Sequence, residues 1–274
     1  MCDHPSRTLF DRYLRILGIS RKKPSLNALT ELTTAHLTRI PFENVSKLYY
    51  LKRHNLRELP RLERYLDGIE RYHFGGTCYT NNVYLHLLLE HLGYQAKLCG
   101  CDMNNPDVHI VNLVTVDGHE YVVDTGYAAP FLKPIPRDLL EDYEIGLGRD
   151  RYVLKPQDAD GRSIMQLVRD GQLRHGYTIK PQPRSIEHFS GVVAHSYRDG
   201  GTFMTAVLLV RFFPGRLLAI HNLTVLESEG TRWTTRQLAD RNTLAATVEE
   251  QFGIPHDITA EAIADIGDFG DAWS

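Results

Sequence analysis

Cysteine is scarce in this chain: four residues in 274, Cys2, Cys78, Cys99 and Cys101, with no CxxC pair among them. So thin a set excludes a disulfide-built scaffold, which needs dense, patterned cysteines in a much shorter chain. Cys99 and Cys101 stand two apart in a strand-like run and therefore share a face. A metal there would need two further ligands, and no matching Cys or His pair accompanies them. They read as buried strand residues, and no metal is expected; Cys2 falls at a terminus expected to fray. Charge of one sign is also missing, since 31 Lys and Arg face 34 Asp and Glu, interspersed, for a net charge of −3. No basic patch for nucleic acid or an anionic membrane stands out. No window approaches the roughly 20 apolar residues of a membrane span. The opening MCDHPSRTLFDRYL lacks the apolar centre of a secretory signal. Repeats, low-complexity tracts and long linkers are absent as well. A soluble, cytoplasmic protein is expected, and a hydrophobic fraction of 42% supplies a real core.

The first ninety or so residues read as helical. Apolar residues at Leu9, Phe10, Tyr13, Leu14 and Leu17 mark a helix over Arg7–Leu17, stopped by Gly18. Ser25 can cap a second helix reaching His36, and Leu62, Tyr65, Leu66 and Ile69 mark another over Arg61–Tyr72. After Phe74-Gly75-Gly76-Thr77, a Leu-rich helix runs from Cys78 to Leu92 and closes at Gly93. The pattern then changes. Ala96–Asp102, His109–Val116 and His119–Asp124 are short β-type runs, with Asp117-Gly118 as a hairpin turn between the last two. Pro130, Pro134 and Pro136 interrupt. Strands are expected at Tyr152–Leu154, Ser163–Arg169, Tyr177–Lys180, Met204–Phe212 and Leu217–Glu227, with a final helix over Thr243–Phe252 stopped by Gly253. The order predicts an α+β fold. Its parts are a helical bundle over 1–93, a β region over 94–200 and an α/β tail over 201–274.

Cys78 is the residue with the most chemistry to offer. A thiol on the first turn of a helix meets unpaired backbone N–H groups and the positive end of the helix dipole, both of which favour the nucleophilic thiolate. The same N–H groups can hold an oxyanion on an attacked carbonyl. A Gly-Gly-x-Cys by itself is equally compatible with a merely buried cysteine. The second element is the hairpin. If Asp117-Gly118 forms a two-residue turn, Val116 faces His119 and Val111 faces Asp124. His109 then shares their face, diagonal to Asp124 at about 7–8 Å. A three-residue loop would put the two on opposite faces. An imidazole beside a carboxylate is what holds a general base in one tautomer, although a strand-face His–Asp pair can also be purely structural. No comparable arrangement surrounds the other histidines, among them His86, His91, His119, His188 and His221. Together, Cys78, His109 and Asp124 form the composition of a cysteine-nucleophile site, without separating acyl transfer from hydrolysis.

Five stretches resemble the arylamine N-acetyltransferase family: Arg39-Ile40-Pro41-Phe42-Glu43-Asn44; Gly75-Gly76-Thr77-Cys78 with Asn82; His109–Leu113; Asp124-Thr125-Gly126-Tyr127; and Thr202-Phe203 before a strand. The terminal helix with Phe252-Gly253-Ile254-Pro255 extends the likeness to the end of the chain. The resemblance implies a helical bundle presenting the cysteine, a central antiparallel β-barrel giving His109 and Asp124, and a C-terminal α/β lid around a cysteine-protease-like core. It implies a ping-pong acyltransferase in which acetyl-coenzyme A acylates Cys78 and an arylamine or arylhydrazine takes the acetyl group. It further implies Phe42, Tyr127, Phe131 and Phe203 as acceptor-pocket walls, Thr202 near coenzyme A, and no metal.

Phe74 stands where the family has an Arg, and Thr80 where it has a Glu, so Glu43 needs another partner, such as Arg39 or Arg71. Thr125 and Tyr127 replace the Val and Phe of the family's D-V-G-F. Three other readings compete. An amide synthase of the same fold, closing a polyketide acyl chain on an amine, differs in lid and pocket width. A cysteine hydrolase has no place for the PFEN segment, and a non-catalytic ligand-binding relative has no need of all three reactive residues.

Overall fold

The computed structural model describes residues 7–230 and 232–271; Cys2 lies outside them. Helices α1 (Arg7–Leu17) and α2 (Leu26–Arg39) open the chain. Phe10, Tyr13, Leu14 and Leu17 form the buried face of α1, and the Ser25 hydroxyl accepts the Ala28 N–H to cap α2. The second helix runs to Arg39 rather than His36. Strand β1 (Phe42–Glu43) follows, then helices α3 (Val45–His54), α4 (Leu62–Tyr72) and α5 (Cys78–Leu92). Helix α3 has no local start signal. Asn44 precedes it but makes no side-chain cap; its amide instead donates to the Phe203 and Ala206 carbonyls and accepts the Leu208 N–H. The residue before the helix is thus held by a segment from the other end of the chain rather than by capping its own helix.

Eleven of the fifteen residues of α5 are buried, so this helix is the axis of the N-terminal half rather than a surface element. It packs against β2 (Gln95–Asp102) and β3 (His109–Val116). Next come β4 (His119–Val123), β5 (Ile135–Pro136), β6 (Tyr143–Leu147), β7 (Asp150–Leu154), β8 (Ser163–Arg169) and β9 (Gln172–Pro183). All eight pair antiparallel in the order β5-β4-β3-β2-β9-β8-β7-β6, a nearly closed barrel. The α+β class and its antiparallel barrel agree with expectation. So does the β3–β4 register, with Val116 opposite His119 and Asn112 opposite Val123. Asp117 and Gly118 both take positive φ, the I′ geometry that an Asp-Gly pair favours.

A 3-10 turn (Ile186–Phe189), α6 (Ser190–His195) and the one-turn α7 (Thr202–Thr205) lead to the second sheet. It contains β10 (Leu208–Phe213), β11 (Arg216–His221), β12 (Thr224–Glu229) and β13 (Arg232–Gln237), with β1 from the N-terminal half paired along β10. Here three expectations need correction. Met204 belongs to α7, and the strand starts only at Leu208. The run Leu217–Glu227 is two strands, because Asn222 turns the chain in the left-handed region, which Asn tolerates without the glycine that would have advertised the turn. Helix α8 (Arg241–Phe252) ends at Gly253 as read, but α9 (His256–Ile263) follows it. Strand β13, mostly exposed, lacks the alternation that marks a strand.

Three apolar clusters hold the parts together. One joins α1, α2, α4 and α5 to one face of β2 and β3. A second fills the barrel and meets the facing side chains of β10 and β11. The third joins α3, the other face of that sheet and helices α8 and α9. The active-site candidates lie where the first two clusters meet.

Candidate active site

Cys78 is the first residue of α5, and Thr77, its N-cap, makes no side-chain capping bond. The first-turn N–H groups are therefore not taken by a side-chain cap. The strand pair β3–β4 arrives from the barrel. The His109 Nε2–H donates to Asp124 Oδ2 at 2.8 Å. That bond leaves the other ring nitrogen free of Asp124, and the Cys78 sulfur is near enough to favour the charged imidazole. The sulfur lies 3.9 Å from the Val108 carbonyl oxygen. The Asp124-Thr125-Gly126 turn closes directly on Cys78, because a Cβ on Gly126 would stand 2.4 Å from the Cys78 Cα. Only glycine fits there. We expect Gly126→Ala to push turn and helix apart, costing roughly 1–3 kcal/mol and most acyl loading of Cys78. Thermal unfolding and intact-protein mass spectrometry check the two effects.

Asp124 is fully buried, and an unpaired carboxylate there would be prohibitive. Four donors satisfy it. Asn82 Nδ2 and the Gly126 N–H reach Oδ1, each at 2.8 Å, while His109 Nε2 and the Tyr177 hydroxyl reach Oδ2 at 2.8 and 2.7 Å. Asn82 is itself fixed by donating to the Ile110 carbonyl and accepting the Thr125 N–H. Burial opposes charge on His109, but the Asp124 carboxylate and then Cys78 outweigh it and push the imidazole up to about 10. Burial likewise opposes the charge on Asp124, and His109, Asn82 and the Gly126 N–H overcome it, holding the carboxyl below the usual range. The pair is an ion pair at neutral pH.

Cys99 and Cys101 are buried in β2; burial pushes Cys99 up to about 12 and Cys101 well above the ordinary thiol range. Iodoacetamide applied to the native protein is therefore expected to alkylate Cys78 and leave both strand cysteines unmodified. Peptide mapping checks this, and equal labelling of all three would contradict it.

A cavity of about 320 Å³ opens beside Cys78 and His109. Phe42, Tyr127, Phe203 and Thr202 line it, and Phe42 meets Phe203 edge-on at 5.7 Å. Phe131 does not reach the wall. It lies one layer back, stacked on Tyr127 at 6.0 Å, because its side chain belongs to the barrel core. The lining also holds residues that sequence reasoning missed. Tyr152 and Trp233 add aromatic surface, and His175 bonds the Tyr127 hydroxyl at 2.7 Å. Lys47 brings an ammonium group into the same wall. Trp233 comes from the unrecognised β13 and Lys47 from the unrecognised α3, so nothing local pointed to either. Tyr177 and His175 sit on β9, beyond the strand segment or the roles expected.

Glu43 is resolved differently from expectation. Its carboxylate accepts the Gly75 N–H at 3.0 Å and the Ser46 N–H at 2.8 Å, with no arginine. Arg71 is exposed at the end of α4, and the Arg39 guanidinium lies against Gly18. Phe74 packs instead among Tyr49, Tyr50 and Tyr72. Burial accordingly raises the Glu43 carboxyl, against the backbone bonds that lower it. Among the described residues, no group of three or more His, Cys, Asp or Glu is arranged to hold a metal ion.

A helix-borne thiol beside a strand-borne imidazole and a carboxylate from the turn after the next strand defines the class of folds built on a Cys-His-Asp core. Comparison narrows the class. The N-acetyltransferase family profile matches residues 25–261. The chicken (Gallus gallus) arylamine N-acetyltransferase, pineal gland isozyme NAT-3, is 28% identical over 199 residues, covering 63% of this chain and 66% of that protein. The arylamine N-acetyltransferase from Mycobacterium abscessus superposes with a TM-score of 0.77 at 19% identity, covering 93% of this chain and 95% of that one. The Mycobacterium marinum enzyme, solved in complex with CoA, gives a TM-score of 0.75 at 20% identity over 96% of this chain and 97% of that one. The chain belongs to the arylamine N-acetyltransferase family.

Proposed function

We propose that this chain is an acetyl-coenzyme A-dependent N-acetyltransferase that passes the acetyl group through a Cys78 thioester to an arylamine or arylhydrazine. The observation that carries the reading is a His109 ring anchored on Asp124 and acted on by the Cys78 sulfur, with both residues on the wall of one cavity. In the first half-reaction the Cys78 sulfur attacks the acetyl carbonyl, and the first-turn N–H groups of α5 hold the developing oxyanion. The carbon–sulfur bond to coenzyme A breaks, and His109 returns its proton to the leaving thiolate. In the second, the acceptor nitrogen attacks the Cys78 thioester, His109 takes the nitrogen's proton, and the carbon–sulfur bond to Cys78 breaks to release the amide and the free sulfur. Asp124 keeps the ring oriented and its positive charge favourable throughout.

Phe42, Tyr127 and Phe203 suit a flat aromatic acceptor, and Thr202 offers a hydroxyl for coenzyme A. The CoA-bound neighbour from Mycobacterium marinum supports that donor. A cytoplasmic setting belongs to the same reading, since Cys78, Cys99 and Cys101 are free thiols of the kind a reducing compartment preserves. Among the described residues no helix is long and apolar enough to cross a membrane. The test is intact-protein mass spectrometry after incubation with acetyl-coenzyme A and no acceptor. One acetyl group on Cys78, discharged when an arylamine is added, is the expected result. An unmodified protein, or acetyl groups only on lysines, would defeat the reading.

A further inference from the structure

Lys47 is a charged residue of the cavity wall that acetyl transfer to an aromatic amine does not use. It sits on the first turn of α3, half-buried, with its ammonium donating to the Ser196 carbonyl at 3.0 Å and to the Ser196 hydroxyl at 2.7 Å. The Tyr197 ring lies 4.3 Å beneath it. All three contacts are to neutral groups, and no carboxylate partners Lys47 among the described residues. Two bonds to Ser196 leave a third N–H of the ammonium without an acceptor among the described residues. A half-buried cation in that position is costly unless an anion reaches it. Burial lowers its pKa to about 8, and the group that opposes this is the Cys78 sulfur, on the wall of the same cavity.

That coupling ties Lys47 to the reaction sequence. While the Cys78 sulfur is charged, it is the anion that Lys47 feels. Acylation discharges it, because the new sulfur–carbon bond uses the electron pair that carried the charge. Lys47 is then left facing an acyl group with no counter-ion, unless the acyl group brings one. A short dicarboxylic acyl chain does so, and its terminal carboxylate can take the free N–H in a charge-assisted hydrogen bond. An apolar wall at this position would reject the same carboxylate on desolvation alone.

We propose that Lys47 is a specificity-determining residue that admits, beside acetyl, donors whose acyl group ends in a carboxylate, of malonyl to succinyl length. The inference rests on the acyl-transfer reading above and adds the donor class. The covalent step is the same: the Cys78 sulfur attacks the thioester carbonyl, the donor's carbon–sulfur bond breaks, and the leaving thiolate takes the proton from His109.

The experiment follows loading of Cys78 by intact-protein mass spectrometry with acetyl, malonyl and succinyl groups. Each is supplied as the coenzyme A thioester and as the N-acetylcysteamine thioester, which carries no phosphate. In the wild type, malonyl and succinyl should load within about tenfold of the acetyl rate from both carriers. In Lys47→Met the ratio of dicarboxylic to acetyl loading should fall at least about tenfold with both carriers, and Lys47→Arg should recover most of it. A ratio that Lys47→Met leaves unchanged overturns the inference. An equal loss for all three acyl groups, confined to the coenzyme A thioesters, also overturns it and assigns Lys47 to the phosphates. Acetyl loading without any malonyl or succinyl loading in the wild type defeats this inference alone, whereas no loading from any donor defeats the acyl-transfer reading with it. If Lys47→Met does not fold, Lys47→Gln carries the same comparison.

Discussion

Replacing Cys78 by serine is expected to remove acyl transfer, lowering turnover by at least about 10⁴-fold while the protein stays folded. The physical reason is the ease with which the two groups release a proton. Thiols as a class give up a proton far more readily than alcohols, and an alcohol in the same place keeps its proton until it is already bonding to the carbonyl. The change is small in volume, and Cys78 is only 8% exposed, so the packing of α5 against the Asp124 turn should survive. Acetylation without acceptor, read by mass spectrometry, and release of free coenzyme A are the two measurements. A serine variant turning over near the wild-type rate would remove Cys78 from the mechanism.

Asp124→Asn should have the second largest effect, and it acts on both rate and stability. The amide keeps the size of the side chain but not its charge, so His109 loses the partner that orients it and makes its cation favourable. A drop of about 10³–10⁴-fold in acylation rate is expected, the scale on which such carboxylates act. The stability effect has a definite sign. Folding raises the His109 pKa from 6.5 to about 10, so the native state binds this proton more tightly than the unfolded chain does. The resulting stabilisation is fully present below about pH 6.5 and is lost as pH rises through about 10, by up to ~1.4 kcal/mol per pH unit in between. Asp124 is lowered, so its own contribution is present above the ordinary carboxylate range and is lost as pH falls through its native value. Denaturant unfolding from pH 6 to pH 10 should therefore show the wild type losing stability relative to Asp124→Asn. Parallel curves for the two proteins would mean that the pair is not ionised in the folded state.

These groups were legible because each stands on a local signal. Gly93 marks where α5 stops, and Asp117-Gly118 announces a turn whose two-residue length sets the β3–β4 register. That register alone places His109 on the face of Asp124. The carboxylate's other partners were not legible. Asn82 appeared only as part of a resemblance, and Tyr177 reaches Asp124 from a strand whose sequence says nothing about which neighbour it will pair with. The same holds for the cavity. Phe131 and Tyr127 are alike in the sequence, yet one faces the cavity and the other the barrel core. The aromatic that would have been guessed last, Trp233, reaches the wall from a strand with no alternation.

By itself, then, the amino-acid sequence determined the helix that carries the thiol, the hairpin that carries imidazole and carboxylate, and the α+β order of the parts. Backbone geometry at a few residues is enough for these, because a left-handed turn or a helix stop is a property of its immediate neighbours. Tertiary structure alone decided that β1 would join the far sheet, that the Asp124 turn would press on Cys78, and that Lys47 would face the same cavity. Those outcomes depend on apolar surface and hydrogen bonds shared between segments far apart in the chain, and the free energy of such contacts exists only once both sides have come together.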